Sequence, residues 1–387
     1  MVKAPLKVRS TDTAGARGFK RTEVGPIPDD WEVDTIGALA KIRTGARNTQ
    51  DRKRDGEYPF FVRSQQVERI DTCGFDGEAV LTAGDGVGTG KVFHYIKGPF
   101  DFHQRVYKIS DFSRRLNGYY FFIYFSSHFF KRISAMTAKS SVDSVRMDMI
   151  ADMPIALPSV REQEAIAMAV WDVEASIDAL DNLIAKKRAM KLGAMQELLF
   201  GRTRLPGFTG EWQPKRFGDL LRVRHGRSQS DVASVNGPYP IMATGGEIGR
   251  AKHFLYDKPS VLIGRKGTID RPQFIEKPFW SIDTLFYTEI GPAADPKFLF
   301  YRFCMVDWRA LNEASGVPSL SASNIEKYLF SCPEPKEQRA VAEALTDMDT
   351  EIEALNLRRT KIGDVKTGIV QTLLSGRVRL PLTKVTA

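Results

Sequence analysis

The sequence predicts an α+β chain in which two related, strand-rich globular domains are separated by two long antiparallel coiled-coil helices. Three observations predict it: a long self-repeat, a heptad stripe in both copies of that repeat, and short alternating runs between glycine turns.

The repeat is the strongest of these. REQEAIAMAVWDVEASIDAL begins at Arg161, and KEQRAVAEALTDMDTEIEAL begins at Lys336. Residues 161–206 align with 336–381 without a gap, and roughly 20 of 46 positions are identical. Both copies open on a proline followed by Glu-Gln (Pro158, Glu162, Gln163; Pro335, Glu337, Gln338) and close on GR-x-RLP (Gly201 to Pro206; Gly376 to Pro381). Fainter matches precede them at one offset of about 181: Trp31 with Trp212, Gly37 with Gly218, Gly45 with Gly226, Tyr58 with Tyr239 and Val80 with Val261. The period is too long for a solenoid unit, so each half is a globular domain followed by a helix.

The helices are read from their apolar spacing. Ile166, Val170, Val173, Ile177, Leu180 and Ile184 step by four and three. Val341, Leu345, Met348, Ile352 and Leu355 do the same, and Ile362 and Ile369 continue the second stripe. A mean spacing of 3.5 residues is a coiled-coil seam. No other segment carries heptads, so each helix is the natural partner of the other. At ~1.5 Å per residue the pair forms a rod about 55 Å long, a ruler between two domains. Gly201 and Gly376 read as helix stops.

Within the halves, KIRTG, YPFFVRS, EAVLTAGDG, KVFHYI and QRVYKIS read as strands, as do LRVRHG, YPIMATGG, SVLIGRKG, RPQFIEK and TLFYTEI. The apolar run GYYFFIYFSSHFF from Gly118 is too short and too interrupted to span a bilayer and reads as a buried helix. Phe298 to Leu311 reads as its counterpart. The expected layout is a flexible segment 1–20, a domain 21–158, a helix 159–201, a domain 202–333, a helix 334–376 and a tail 377–387.

Composition narrows the function. With 42% hydrophobic residues the chain can build cores, and a formal charge of +9 points to a polyanionic partner. Three distant cysteines without a CxxC fit a reducing cytoplasm, and no apolar leader is visible. GDGVGTGK (Gly84 to Lys91) departs from both the Walker and the dinucleotide patterns, so its glycines are read as turn formers. No DPPY-type tetrapeptide, HExxH or nucleophile elbow occurs, and five histidines are scattered. The reading is therefore no catalytic residues and no metal site.

Basic and amide residues instead recur in corresponding loops. The candidates in the first half are Arg43, Arg47, Asn48, Arg63, Lys91, Gln104, Arg105, Lys139 and Ser140. Those in the second are Arg224, Arg227, Arg250, Lys252, Arg265, Lys266, Arg271 and Ser319. Arg and Lys neutralise phosphates and read guanine, and Asn and Gln read adenine, so these loops are read as double-stranded DNA contacts.

The doubled architecture, the two Pro–Glu-Gln openings, the GR-x-RLP closes and the phrases VLIGRKGTID, PFWSIDTLFY and GVPSLSASNIEKYLFSCPEPKEQ resemble the specificity subunit of type I restriction-modification enzymes. The first half is the more diverged, with SVDSVRMDMI in place of GVPSLSASNI. The resemblance implies that each globular half is a target recognition domain reading one part of a split, asymmetric DNA sequence. It implies that the helices fix the spacer and dock two methyltransferase subunits, which restriction/translocase subunits can join. S-adenosylmethionine, ATP and Mg2+ would then belong to those partners and not to this chain. Two other readings stay open: an adaptor of another phage-defence or methylation-only complex, and a stand-alone DNA-modifying enzyme.

Overall fold

The computed structural model describes residues 18–136 and 144–381. Its contacts divide the chain into two compact units, Met1–Asp178 with Thr360–Ala387, and Ala179–Arg359. Helices and strands mix in both.

The first unit opens on β1 (Phe19–Thr22) and β2 (Gly25–Pro28), a hairpin turned by Gly25 at φ 100°. Phe19 and Lys20, placed in the N-terminal segment by the sequence reading, instead pair with Pro28 and Ile27. Then follow β3 (Glu32–Thr35), α1 (Ile36–Leu39), β4 (Lys41–Thr44), β5 (Tyr58–Phe61), β6 (Glu68–Ile70), β7 (Phe75–Ala83), β8 (Phe93–Phe102) and β9 (Val106–Ser110). The main sheet has the order β4-β9-β7-β8-β5-β6, antiparallel except for β5 beside β8. Next come α2 (Gly118–Met136), α3 (Met147–Ala151), β10 (Pro154–Leu157) and α4 (Val160–Leu198). The aromatic run expected to be a buried helix is α2. Its Tyr120, Phe121, Phe125, Phe129 and Ile133 pack in one core with Val80 and Ile109 of the sheet. Ile166 and Val170 of α4 join that core together with Leu373 and Leu374.

The second unit contains β11 (Gln213–Arg216), α5 (Phe217–Leu220), β12 (Leu221–His225), β13 (Tyr239–Ala243), β14 (Gly246–Ala251), β15 (Ser260–Gly264), β16 (Gln273–Ile275), β17 (Trp280–Ser281) and β18 (Leu285–Ile290). After them come α6 (Pro296–Cys304), α7 (Ala322–Lys327), β19 (Leu329–Cys332) and α8 (Pro335–Leu374). Its sheets run β12-β18-β15-β16 and β14-β13-β17. The single helix expected over 298–311 is two pieces. α6 stops at Cys304, and the Asp307 carboxylate accepts the Arg309 and Ala310 amides, starting a separate 3-10 turn at Trp308–Leu311. A short ribbon closes each domain, β3 with β10 and β11 with β19. The charged β3 (EVDT) and the fully exposed β11 (QPKR) carry no alternation that would announce a strand.

The repeated glycines do the same job in each unit. A Cβ on Gly45 would overlap the carbonyl oxygen of Phe102, and one on Gly226 would overlap that of Ile282. Backbone cannot give way as a flexible side chain can. Gly226→Ala is therefore expected to cost about 3 kcal/mol in denaturant unfolding, the upper end for overpacking; a loss below about 0.5 kcal/mol would contradict this close approach.

The division between the units falls inside α4 and α8, after Asp178 and after Arg359. In the second unit Lys187 pairs with Glu351 at 2.6 Å and Lys191 with Asp349 at 2.5 Å, while Asp181 meets Arg359 at 3.0 Å. Partner numbers fall as α4 advances, so these stretches run antiparallel. In the first unit Glu174 meets Lys366 at 2.6 Å, and Ile166 and Val170 share a core with Ile369 and Leu373. Among the thirteen seam candidates, Ile166, Val170, Leu180, Ile184, Val341, Leu345 and Ile352 are buried. Val173, Ile177, Met348, Leu355, Ile362 and Ile369 are half-buried.

The repeated words of the sequence become one repeated junction. In the second unit Arg204, just past the end of α4, grips Glu337 in the first turn of α8 at 2.5 and 2.7 Å. The Trp212 indole donates to the same carboxylate at 3.1 Å. In the first unit Arg379, just past α8, grips Glu162 in the first turn of α4, and Trp31 donates to it at 3.2 Å. Both glutamates are 2% exposed. The neighbouring glutamines anchor the aromatic helices. Gln163 accepts the Asn117 amide and Gln338 the Asp295 amide, each at 2.9 Å, immediately before α2 and α6. A second contact repeats in the two units: Tyr119 donates to Glu174, which Lys366 pairs, and Tyr301 donates to Asp349, which Lys191 pairs. Gly201 and Gly376 end the helices at φ 66° and 67°, with the Arg202 amide reaching back to the Glu197 carbonyl.

Candidate nucleic-acid interface

In the first unit three loops meet at one end of the main sheet. They leave β4 (residues 45–48), leave β7 (84–90) and enter β9 (103–105). The backbone joins them: Gln104 donates to the Arg47 carbonyl at 2.7 Å, Gly84 to that of Arg105 at 2.8 Å, and Val145 to that of Gly84 at 2.7 Å. His103 donates its amide to Phe61 at 2.9 Å, which brings in Arg63 at the end of β5. Gly86 and Gly90, at φ 78° and 67°, turn the glycine loop, as their residue type suggested.

Side chains hold the cations in place. Asp85 takes Arg63 at 2.7 Å and Arg105 at 3.5 Å, and Asp101 takes Arg47 at 3.1 Å. His103 is the hub. Its Nδ1 accepts the Arg105 amide at 2.9 Å, so Nε2 carries the proton and donates to Asn48 Oδ1 at 3.2 Å. Burial lowers its pKa, reinforced by nearby Arg63 and Arg105 and opposed by Asp85 and Asp51. Asn48 Oδ1 also accepts the Thr49 amide, so that oxygen is committed within the loop.

The second unit builds the same convergence from different residues. Arg227, after β12, donates its amide to Ser281 at 2.8 Å, and Trp280 Nε1 donates to the Arg227 carbonyl at 3.0 Å. Arg265, after β15, donates to Thr284 at 2.8 Å and accepts from Leu320 at 3.0 Å. Lys266 is bridged to Ser319, and Gly267 donates to Pro318 at 2.9 Å.

The structure therefore gathers Arg47, Asn48, Arg63, Gln104 and Arg105 in one unit and Arg227, Arg265, Lys266 and Ser319 in the other. It places the remaining candidates elsewhere. Arg43 and Arg224 lie on strands β4 and β12, Arg224 being paired with Glu289 at 2.9 Å. Lys91 sits at the far end of the glycine loop, 5.7 Å from the Phe130 ring centre. Arg250, paired with Glu247, stands on the separate β14-β13-β17 sheet, and Lys252 follows it. Arg271 is exposed beside the Asp270–Arg309 pair. Lys139 and Ser140 lie outside the described residues. The clamp residues Asp85, Asp101 and His103 escaped the sequence reading, which weighed carboxylates and histidines only as catalytic groups or ligands. Among the described residues no cluster of His, Cys, Asp and Glu could hold a metal ion, and no helix is long and apolar enough to cross a membrane.

Comparison with known proteins falls on the same two segments. The type I restriction modification DNA specificity domain family matches residues 28–186 and 209–362, one match per repeat. The chain belongs to this family. A specificity subunit of a type I restriction enzyme, MjaVIII of Methanocaldococcus jannaschii, is 21% identical over 94% of this chain and 96% of its own. The EcoDI specificity subunit of Escherichia coli is 31% identical over 43% of this chain, a match that spans about a third (34%) of that relative's length. Among solved structures, the type I restriction-modification S subunit from M. genitalium superposes with TM-score 0.64 at 16% identity, over 91% of this chain and 97% of that one. A chain solved in a study of type I R-M assembly and conformational transition gives TM-score 0.55 at 13% identity, over 91% and 99%. These likenesses are of fold. Membership of the specificity family makes both globular domains DNA-recognition domains.

Proposed function

We propose that this chain is the non-catalytic DNA-recognition subunit of a type I restriction-modification complex. Each domain reads one half of a bipartite, asymmetric target. The observation that carries this reading is the recurrence, in both units, of converging loops with cations at their tips, Arg47, Arg63 and Arg105 in the first and Arg227, Arg265 and Lys266 in the second. Phosphate neutralisation by such loops positions a duplex, and base-edge contacts then select sequence. The tip residues differ between the units, which favours unlike half-sites.

The paired helices act as a coiled-coil spacer between the two reading domains and dock two methyltransferase subunits. Their seam residues are buried or half-buried, while Met168 and Trp171 of α4 remain exposed as an apolar surface for a partner. S-adenosylmethionine, ATP and Mg2+ enter with the methyltransferase and restriction subunits.

Mapping adenine methylation across the host genome with and without this gene tests the reading. Loss at one bipartite motif, with a constant gap between two dissimilar parts, is the expected result. An unchanged methylome together with no duplex binding by the purified chain and its co-purifying subunits would reject it.

A further inference from the structure

One group of cations in the first unit has no role in the loop convergence. Lys108 lies on β9 and is 5% exposed, with its Nζ 3.1 Å from the Phe75 ring centre and 5.9 Å from that of Phe102. Its cross-strand neighbour is Arg43 of β4. Like charges directly opposite on neighbouring strands repel, and a buried ammonium against rings gains only a cation–π contact. Among the described residues neither Arg43 nor Lys108 pairs with a carboxylate. The nearby acids are engaged: Asp101 binds Arg47, Thr72 and the Phe102 amide, and Asp111 lies 3.9 Å from Lys41. Lys41, Arg43, Arg47 and Lys108 all line one open cavity of about 470 Å³ beside the loop that carries Arg47. Its rim includes Asp111, held at φ 55°, the one non-glycine residue with positive φ among those described. The second unit has no counterpart, because Arg224 stands opposite Tyr287 and is neutralised by Glu289.

We propose that this cavity is an oxyanion subsite in which Arg43 and Lys108, flanked by Lys41, bind a phosphate group, and that the group is a backbone phosphodiester of the bound duplex. The choice of source rests on the DNA-recognition reading. A phosphate between the two strands turns a repulsive pair into two charge-assisted hydrogen bonds, and Phe75 forms the apolar wall. Because only one unit has the site, it anchors one half of the target more tightly than the other. Burial, opposed by Asp111 and reinforced by Arg43 and Lys41, lowers the Lys108 pKa to about 8. The subsite is thus charged below that pH and weakens above it.

The test uses the full chain, with Lys108→Met, whose thioether suits the apolar wall, and the exposed Arg43→Gln. Duplex affinity is measured against salt and pH, and inorganic phosphate binding is measured separately by titration calorimetry. Each substitution is expected to weaken duplex binding about five- to tenfold and to lower the salt slope by about one. The wild type is expected to lose affinity from about pH 7 to about pH 9, a loss that Lys108→Met removes. If only inorganic phosphate binding falls, the subsite stands and free phosphate is its source. Unchanged duplex and phosphate binding in both variants overturns the subsite. A wild type that binds no duplex overturns the DNA reading instead.

Discussion

Glu337→Ala lowers the stability of the second unit by about 3 kcal/mol, in the range expected when one partner of a buried ion pair is removed. The carboxylate is almost wholly buried and accepts from Arg204 Nε, Arg204 Nη2 and Trp212 Nε1. Alanine leaves the indole N–H without an acceptor and the guanidinium with the Gly210 carbonyl in place of a carboxylate, and opens a void at the first turn of α8. The equivalent change in the first unit, Glu162→Ala, costs less, about 2 kcal/mol. The difference follows from a second acid: Arg379 keeps its two-pronged contact with Asp30, at 3.0 Å on both oxygens, whereas among the described residues Arg204 meets no second carboxylate and keeps the Gly210 carbonyl and the Trp212 ring. Denaturant unfolding followed by tryptophan emission measures both. Equal losses in the two variants would deny Asp30 its compensating role, and losses below about 0.5 kcal/mol in each would deny the junction its part in stability.

Inserting seven residues into both long helices, after Asp178 and after Arg359, lengthens the gap in the methylated motif by about three base pairs or abolishes methylation. One heptad adds ~10 Å of helix and preserves the seam phase. Duplex DNA advances ~3.4 Å per base pair, which sets the three-pair expectation. Insertion into one helix alone is more damaging. It shifts the Glu174–Lys366 pair relative to the Lys187–Glu351 and Lys191–Asp349 pairs along one helix only, so unbroken helices cannot keep both sets in register. An unchanged gap with full methylation in the double insertion would refute the spacer role. Two inserted residues, which rotate the stripe by about 200° to the opposite face of the helix, serve as the control that loses function.

Much of this architecture was legible in the chain because the chain compares itself with itself. Gly45 and Gly226 matched in sequence, and both prove to be places where a Cβ would strike a carbonyl. The Glu-Gln and RLP words were visible as signatures. Their physical use was not, because Glu162 meets a residue 217 positions away and no local pattern reports such a partner. The cations were harder still. Arg265 and Arg250 look alike in sequence, yet one stands at the loop convergence and the other on a different sheet. Which basic residues gather is decided by strand order, and strand order depends on long-range pairing such as β5 beside β8. The break at Met305–Asp307 was hidden because apolar residues continue through it, and only the Asp307 side chain marks a new start.

The first unit is assembled from two separated stretches, and this has a consequence for synthesis. Residues 179–359 form a continuous block that can fold as it leaves the ribosome. The first unit cannot finish at its turn, because Leu373 and Leu374 belong to its core and Arg379 to its Glu162 junction. Until residues 360–381 emerge, Trp31 and Glu162 wait without their cation and an apolar seat on α4 stays wet. A chain interrupted anywhere in the second half therefore exposes a defect in the first. Completion of the first reader is thereby tied to completion of the whole chain.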